Sequence, residues 1–275
     1  MRRLPVYLPP RPMDRLLIAS TFCFLLGFAY TMHALGARVY RPSRLNFFAI
    51  LTGFVFQTVW LSQRGQQLGR CPLSNFFEVL IFLAWSMVLL YLVIGTSYRM
   101  SLLGVFTSPL VFLFQVGAML MVPDIVAKPR GAANPWLEVH AAISVIAYGA
   151  FALAGVAGLM FLVQERQLKT RQLHTVFHHL PPIHDLAIAN ARLILTGFGL
   201  LAVGIGAGFP MGNLHAHRGA LFWSLGVWLL YGGILAAWWL HKISGRRVAW
   251  LSVGAFAAAL ATLGGLISIG KPGAF

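Results

Sequence analysis

The chain has 275 residues, of which 59% are hydrophobic and only 10% charged, with a mean hydropathy of +0.77. An ordinary soluble domain carries about 25% charged residues, so a soluble globular protein is excluded, and two cysteines exclude a disulfide scaffold. The net charge of +15 would point to nucleic acid in a soluble protein, but here Lys and Arg stand in short runs between apolar segments, where lipid headgroups are the partners; nucleic acid is not an expected partner.

A membrane-spanning helix needs about 20 mostly apolar residues. Eight segments qualify in chain order: 16–36, a shorter one at 46–62, then 76–97, 102–122, 138–163, 191–210, 220–241 and 248–269. None shows the strict alternation of a barrel strand. The expected fold is therefore all-α, a polytopic integral membrane protein with eight transmembrane helices in one bundle, residues 1–275 forming a single domain. The N-terminal run MRRLPVYLPPRPMDR is charged like the start of a signal peptide. The apolar run behind it is long enough to span, however, and no small-x-small cleavage site follows, so a retained first helix is expected. The longest link, 164–190, is polar and rich in His and Arg, and is too small for a second domain. Cys23 lies in the first segment and Cys71 in a polar loop, so no disulfide is expected between them. Charge does not orient the bundle: ten of the 21 Lys and Arg fall on the side of the termini and eleven on the other.

Ionisable groups in or beside membrane helices are expensive, so each is a candidate for function. His33 ends the first segment, Glu78 begins the third, and Glu138 and His140 begin the fifth. His215 and His217 precede the seventh, which His241 ends. His174, His178, His179 and His184 fall in the long link, where no Cys or carboxylate completes a tight metal set. Any one of these imidazoles can simply sit in the headgroup zone, bonded to water or a carbonyl. Their arrangement says more. With alternating helices, His33 and His241 share one face, and His140, His215 and His217 share the other. A histidine pair near each face suits axial ligation of haem iron. His140, Ser144 and Tyr148 recur at i, i+4 and i+8, one stripe of a helix, either facing the bundle interior or making ordinary interhelical hydrogen bonds. No nucleophile triad, P-loop, dinucleotide fingerprint or zinc-protease motif is present.

Three stretches resemble the cytochrome c assembly family of CcsA/CcmC type. WLSQRGQQLGRCPLSNFFEVLIFLAWSMVLLYL (60–92) is similar to the family's W-x-x-S-G-H-x-P-L-S-x-x-Y-E-S-L-x-F-L-x-W pattern. NPWLEVHAAISVIAYGAFALAGVAGLMFLVQER (134–166) is similar to its W-L-x-x-H…S…A-Y helix, and WWLHKISGRRVAW (238–250) resembles its last link. The resemblance implies a haem-handling inner-membrane protein that assists cytochrome c biogenesis, binding b-type haem non-covalently. Its implied partners are haem, apocytochrome c and other maturation proteins. It puts His140 at the outer-face axial ligand and His33 and His241 near intramembrane histidines, and it matches Glu78 to the acid of the Y-E-S motif. The chain departs from the family where a tryptophan-rich W-G-x-Y-W-x-W-D-P-K-E loop is expected: GNLHAHRGALFWSLGVW keeps only Trp223 and Trp228 nearby. The usual second outer histidine is missing from GGLISIGKPGAF. The sequence is thus most similar to the HemX/YpjD-like branch, which lacks the tryptophan-rich motif.

Three expectations follow. His140 is an axial ligand, with His215 or His217 replacing the missing histidine. His33 and His241 approach each other and hold haem at an inner site. The termini lie outside, with residues 164–190 cytoplasmic. Two competing readings remain: a HemX-like regulatory or scaffold protein without transport, and a b-type electron-transfer protein, which would need His pairs buried within helices.

Overall fold

The computed structural model describes residues 12–36, 44–73, 75–97, 101–121, 134–170, 182–211 and 218–269. Among them the chain forms eight α-helices: α1 (Pro12–Gly36), α2 (Arg44–Leu68), α3 (Phe76–Ser97), α4 (Ser101–Leu120), α5 (Pro135–Thr170), α6 (Ile183–Gly208), α7 (Arg218–Trp239) and α8 (Gly245–Ile269). Six described stretches are long and apolar enough to cross a membrane, one in each of α1, α2, α3, α5, α6 and α7. In α4 the described apolar stretch, Phe106–Leu120, is shorter.

Local chemistry sets the helix ends. Asn75 caps α3 by accepting the Glu78 N–H at 2.8 Å, and Asn134 caps α5 by accepting the Trp136 N–H at 3.1 Å. Pro135 occupies the first helical position of α5, where its missing N–H costs nothing. At the other end, α2 and α7 stop with the same paired bonds. Arg70 N–H reaches Gly65 O and Gly69 N–H reaches Gln66 O; Lys242 N–H reaches Ala237 O and His241 N–H reaches Trp238 O. Both closures need a left-handed residue. Gly69 takes it freely at φ 63°, and His241 takes it at φ 53°.

The described parts of the long polar link expected at 164–190 are largely helix. α5 continues through Thr170 and α6 begins at Ile183, which puts His184 in the first turn of α6. Gln164–Thr170 is rich in strong helix formers, and Lys169 closes on Glu165 at 2.7 Å one turn earlier. An apolar window ends where lipid contact ends, whereas backbone hydrogen bonding does not.

α5 is the spine of the bundle. Its most apolar stretch is 83% buried, against 28% for those of α1 and α7. Its buried positions include Ala147, Gly149, Ala150, Ala154, Ala157 and Gly158. Small residues let neighbouring backbones approach closely, which is how helices pack in lipid without a hydrophobic drive between them. α6, α8 and α3 pack on this surface, α1 packs on α2 and α4, and α7 packs on α6 and α8.

Buried polar bonds fix the order of the ends. Gln115 of α4 donates to Leu17 O of α1, and Thr31 of α1 meets Ser108 of α4 at 3.2 Å, so these helices run antiparallel. Gln57 of α2 donates to Ile81 O of α3 at 3.0 Å. Tyr91 at the end of α3 lies against Gly104 at the start of α4. Cys71 lies beside Glu78 of α3 and Glu138 of α5, and His140 and Leu221 meet the end of α6. The starts of α1, α3, α5 and α7 therefore share a near face, and their ends share a far face.

Candidate functional site at the near face

α5 enters the bundle with His140 only 7% exposed. The imidazole Nδ1 lies 2.7 Å from Gly204 O on α6. A carbonyl oxygen only accepts, so Nδ1 carries the proton and Nε2 is the acceptor nitrogen of the ring. Fixing the tautomer through a backbone carbonyl is how proteins prepare histidines to ligate a metal. The contact needs glycine at Gly208 as well: a Cβ there would sit 3.2 Å from His140 Nδ1 and 2.7 Å from a Leu221 methyl.

The stripe expected on α5 is buried throughout. Ser144 is 8% exposed and its hydroxyl has no hydrogen-bond partner among the described residues. Tyr148 accepts a hydrogen bond from Trp223 Nε1 of α7 at 2.9 Å. One turn deeper, Phe151 stacks on Tyr231 with ring centroids 3.7 Å apart.

Glu78 is fully buried and takes the Arg64 Nε–H at 2.9 Å. A carboxylate loses too much hydration on burial to stand alone; here the polar end of α2 supplies the cation. The pair ties α2 to α3, and the link between them brings Cys71 beside Glu78 and Glu138. Burial and those two carboxylates push the Cys71 thiol up to about 11. Both Cys71 and Cys23 are free thiols. Two further groups at this face are buried with no hydrogen-bond partner among the described residues, Arg70 Nε and Glu138 Oε1.

His33 and His241 are both exposed at the far face. The helices that carry them have different packing partners, α2 and α4 for α1, α6 and α8 for α7. His174, His178, His179, His215 and His217 lie outside the described residues. Among the described residues no group of three or more His, Cys, Asp or Glu is placed to hold a metal ion. Arg64, Arg70 and Gly204 escaped the sequence reading. Only Arg64 left a signal, since a buried acid at Glu78 demands a cation nearby.

The architecture is that of a multi-pass helical membrane protein with its buried ionisable groups gathered at one face. Residues 73–268 match the profile of the family described as cytochrome C assembly protein, so the chain belongs to the cytochrome c assembly family. It is similar to Protein HemX of Brevibacillus brevis, 27% identical over 63% of this chain and 64% of that one. It is also similar to Cytochrome c biogenesis protein CcsA of Chlamydomonas reinhardtii, 29% identical over 65% of this chain and 51% of that one. CcsA of Synechococcus sp. (strain RCC307) is 26% identical over 83% and 84% of the two chains. The matches to the first two relatives thus cover less than two thirds of their length.

Proposed function

We propose that this chain is a haem-handling protein of the bacterial inner membrane that assists cytochrome c biogenesis, with His140 as an axial ligand. In this reading all eight helices cross the bilayer, both termini lie outside, and residues 164–190 face the cytoplasm. The observation that carries it is the bond from His140 Nδ1–H to Gly204 O. Haem b, held non-covalently, would supply the iron, and the neutral imidazole of His140 would hold it.

The chain's own residues fit that group. His140, only 7% exposed, would hold the iron through Nε2. Arg70, on the same face, has a buried Nε with no partner among the described residues, which suits an anionic propionate. Glu78 serves as a positioning residue: held by Arg64, it anchors the α2–α3 link beside α5. His215 or His217 would be the second outer ligand. His33 and His241 would form an inner site if haem reaches the far face, and apocytochrome c and other maturation proteins would be its partners at the near one.

The test is the absorption spectrum of the detergent-purified protein with and without added haem. Wild type is expected to titrate haem, and His140→Ala to lose the share held at the near face; His215→Ala/His217→Ala is expected to change the spectrum of that share. Unchanged haem content in His140→Ala sinks the outer site. If His33→Ala and His241→Ala, made in the His140→Ala background, remove no further haem, there is no inner site. A HemX-like scaffold predicts no haem uptake at all, and reduction of bound haem by a quinol would favour electron transfer. A reporter after Phe275 that works only in the cytoplasm overturns the orientation.

A further inference from the structure

At the far face, the turn from α7 to α8 borders an open cavity of about 460 Å³ lined by Trp238, Trp239, His241, Lys242, Ile243 and Ser244. We propose that this turn binds the phosphate of an anionic phospholipid, with the acyl chains lying along the outward side of α7.

Charge is the first argument. The described far ends of α5 to α8 carry Arg166, Lys169, Lys242, Arg246 and Arg247 against the carboxylates Glu165 and Asp185. Glu165 is already shared, by Lys169 at 2.7 Å and Arg246 at 3.3 Å. Lys242 and Arg247, both exposed, have no carboxylate within 4.0 Å among the described residues. The excess is positive, and one of its unpaired cations, Lys242, lines the cavity.

Backbone geometry is the second. The left-handed His241 reverses the chain, so Lys242 N–H bonds back to Ala237 O and α8 starts at once from Gly245. The first turn of a helix has N–H groups without helical acceptors and a positive dipole end, and both favour an anion beside the cations already there.

The apolar part decides the source of the phosphate. Trp239 is 58% exposed, Leu240 63% and Trp250 59%. Exposed indole and Leu beside Lys and Arg make a surface half apolar and half cationic, which is the profile of a lipid at the headgroup boundary. A free phosphate ion has no use for the apolar half.

The experiment uses the full chain in detergent, with native mass spectrometry to count retained phosphatidylglycerol and phosphatidylcholine offered in equal amounts. Wild type is expected to prefer phosphatidylglycerol. The Lys242→Gln/Arg247→Gln variant is expected to lose roughly 30-fold in that preference, about fivefold for each cation. Brominated phosphatidylglycerol should quench wild-type fluorescence more than brominated phosphatidylcholine, and Trp238→Phe/Trp239→Phe should reduce the difference to what Trp250 contributes. Should the glutamine variant fail to fold, Lys242→Arg/Arg247→Lys must still retain the preference. Equal retention of the two lipids by wild type overturns the proposal, as does a preference that survives charge removal. Displacement of phosphatidylglycerol by millimolar inorganic phosphate would show a phosphate-ion site and overturn it. Displacement by haem that fails in His241→Ala would assign the turn to haem instead, with the same consequence.

Discussion

Gly197 and Gly199 stand two residues apart on α6, yet replacing each by Ala should move stability in opposite directions. A Cβ on Gly197 would lie 2.5 Å from Phe151 Cε1, 2.7 Å from Cδ1 and 3.1 Å from Ala147 O. Carbon atoms pack at about 3.5–4.0 Å, so relief needs a shift near 1 Å. Phe151 has nowhere to go: it is fully buried and stacked 3.7 Å from Tyr231. The carbonyl of Ala147 is α5 backbone, so α6 must move off α5. Overpacking of this kind costs about 1–3 kcal/mol. At Gly199 nothing lies within 4 Å, and Ala should only gain helix propensity, up to about 1 kcal/mol. That gain is common to both variants, so their difference isolates the clash. At about 2–4 °C per kcal/mol for chains of this size, Gly197→Ala should melt about 2–12 °C below Gly199→Ala in detergent, followed by differential scanning fluorimetry. Separation of α6 from α5 also lengthens the bond from His140 to Gly204, so Gly197→Ala should bind haem more weakly while Gly199→Ala binds as wild type. Equal melting points would refute the close α5–α6 approach and with it the support given to His140.

Removing one partner of the Arg64–Glu78 pair leaves a charge in a site where Glu78 is fully buried; Glu78→Gln and Arg64→Gln should each cost about 3–5 kcal/mol, and the double variant should recover most of it. A thermal-stability double-mutant cycle checks this, and additive losses would contradict the pairing. With its thiol pushed up to about 11, Cys71 should alkylate about a hundredfold more slowly at pH 8 than a thiol of ordinary value near 9, speeding tenfold per pH unit up to about 11. Glu138→Gln removes a raising charge and should speed the reaction at fixed pH, and mass spectrometry of the iodoacetamide adduct reads the rate. His241 spends a left-handed backbone, φ 53°, at the end of α7. His241→Gly should therefore stabilise the fold by about 0.5–1 kcal/mol, and a lower melting temperature would mean that the imbalance is made up by an imidazole contact.

Apolar runs made the helices legible, because in lipid every backbone polar group must bond within its own segment. The same runs understated three of them. α2 runs to Leu68, α5 to Thr170, and α6 starts at Ile183, since Gln, Arg, Glu and Lys extend a helix into water as readily as Leu does in lipid. The stripe His140, Ser144, Tyr148 was legible as a face from its spacing, and all three are buried. Its partners were not. Gly204 contributes a carbonyl, and every residue has one, so nothing in the sequence marks it out. Trp223 was visible as an aromatic, but its donation to Tyr148 depends on how α7 sits against α5, which spacing within a single helix does not encode.

The length of α5 fixes where His140 stands relative to the bilayer. Its 36 residues rise about 54 Å at 1.5 Å each, well beyond the roughly 30 Å hydrocarbon layer. The polar run from Gln164 marks the far boundary, because Glu165, Arg166 and Lys169 have no place in hydrocarbon. Counting back about 20 residues from there puts the near boundary close to Ser144. A tilt near the usual 20° adds about one residue to that count. His140 then lies about one turn beyond the hydrocarbon, in the headgroup zone, although only 7% exposed. Its shelter comes from α6, through Gly204 and Gly208, rather than from lipid. A ligand held there would be screened from bulk water by protein alone, and within reach of a soluble partner that never has to enter the membrane.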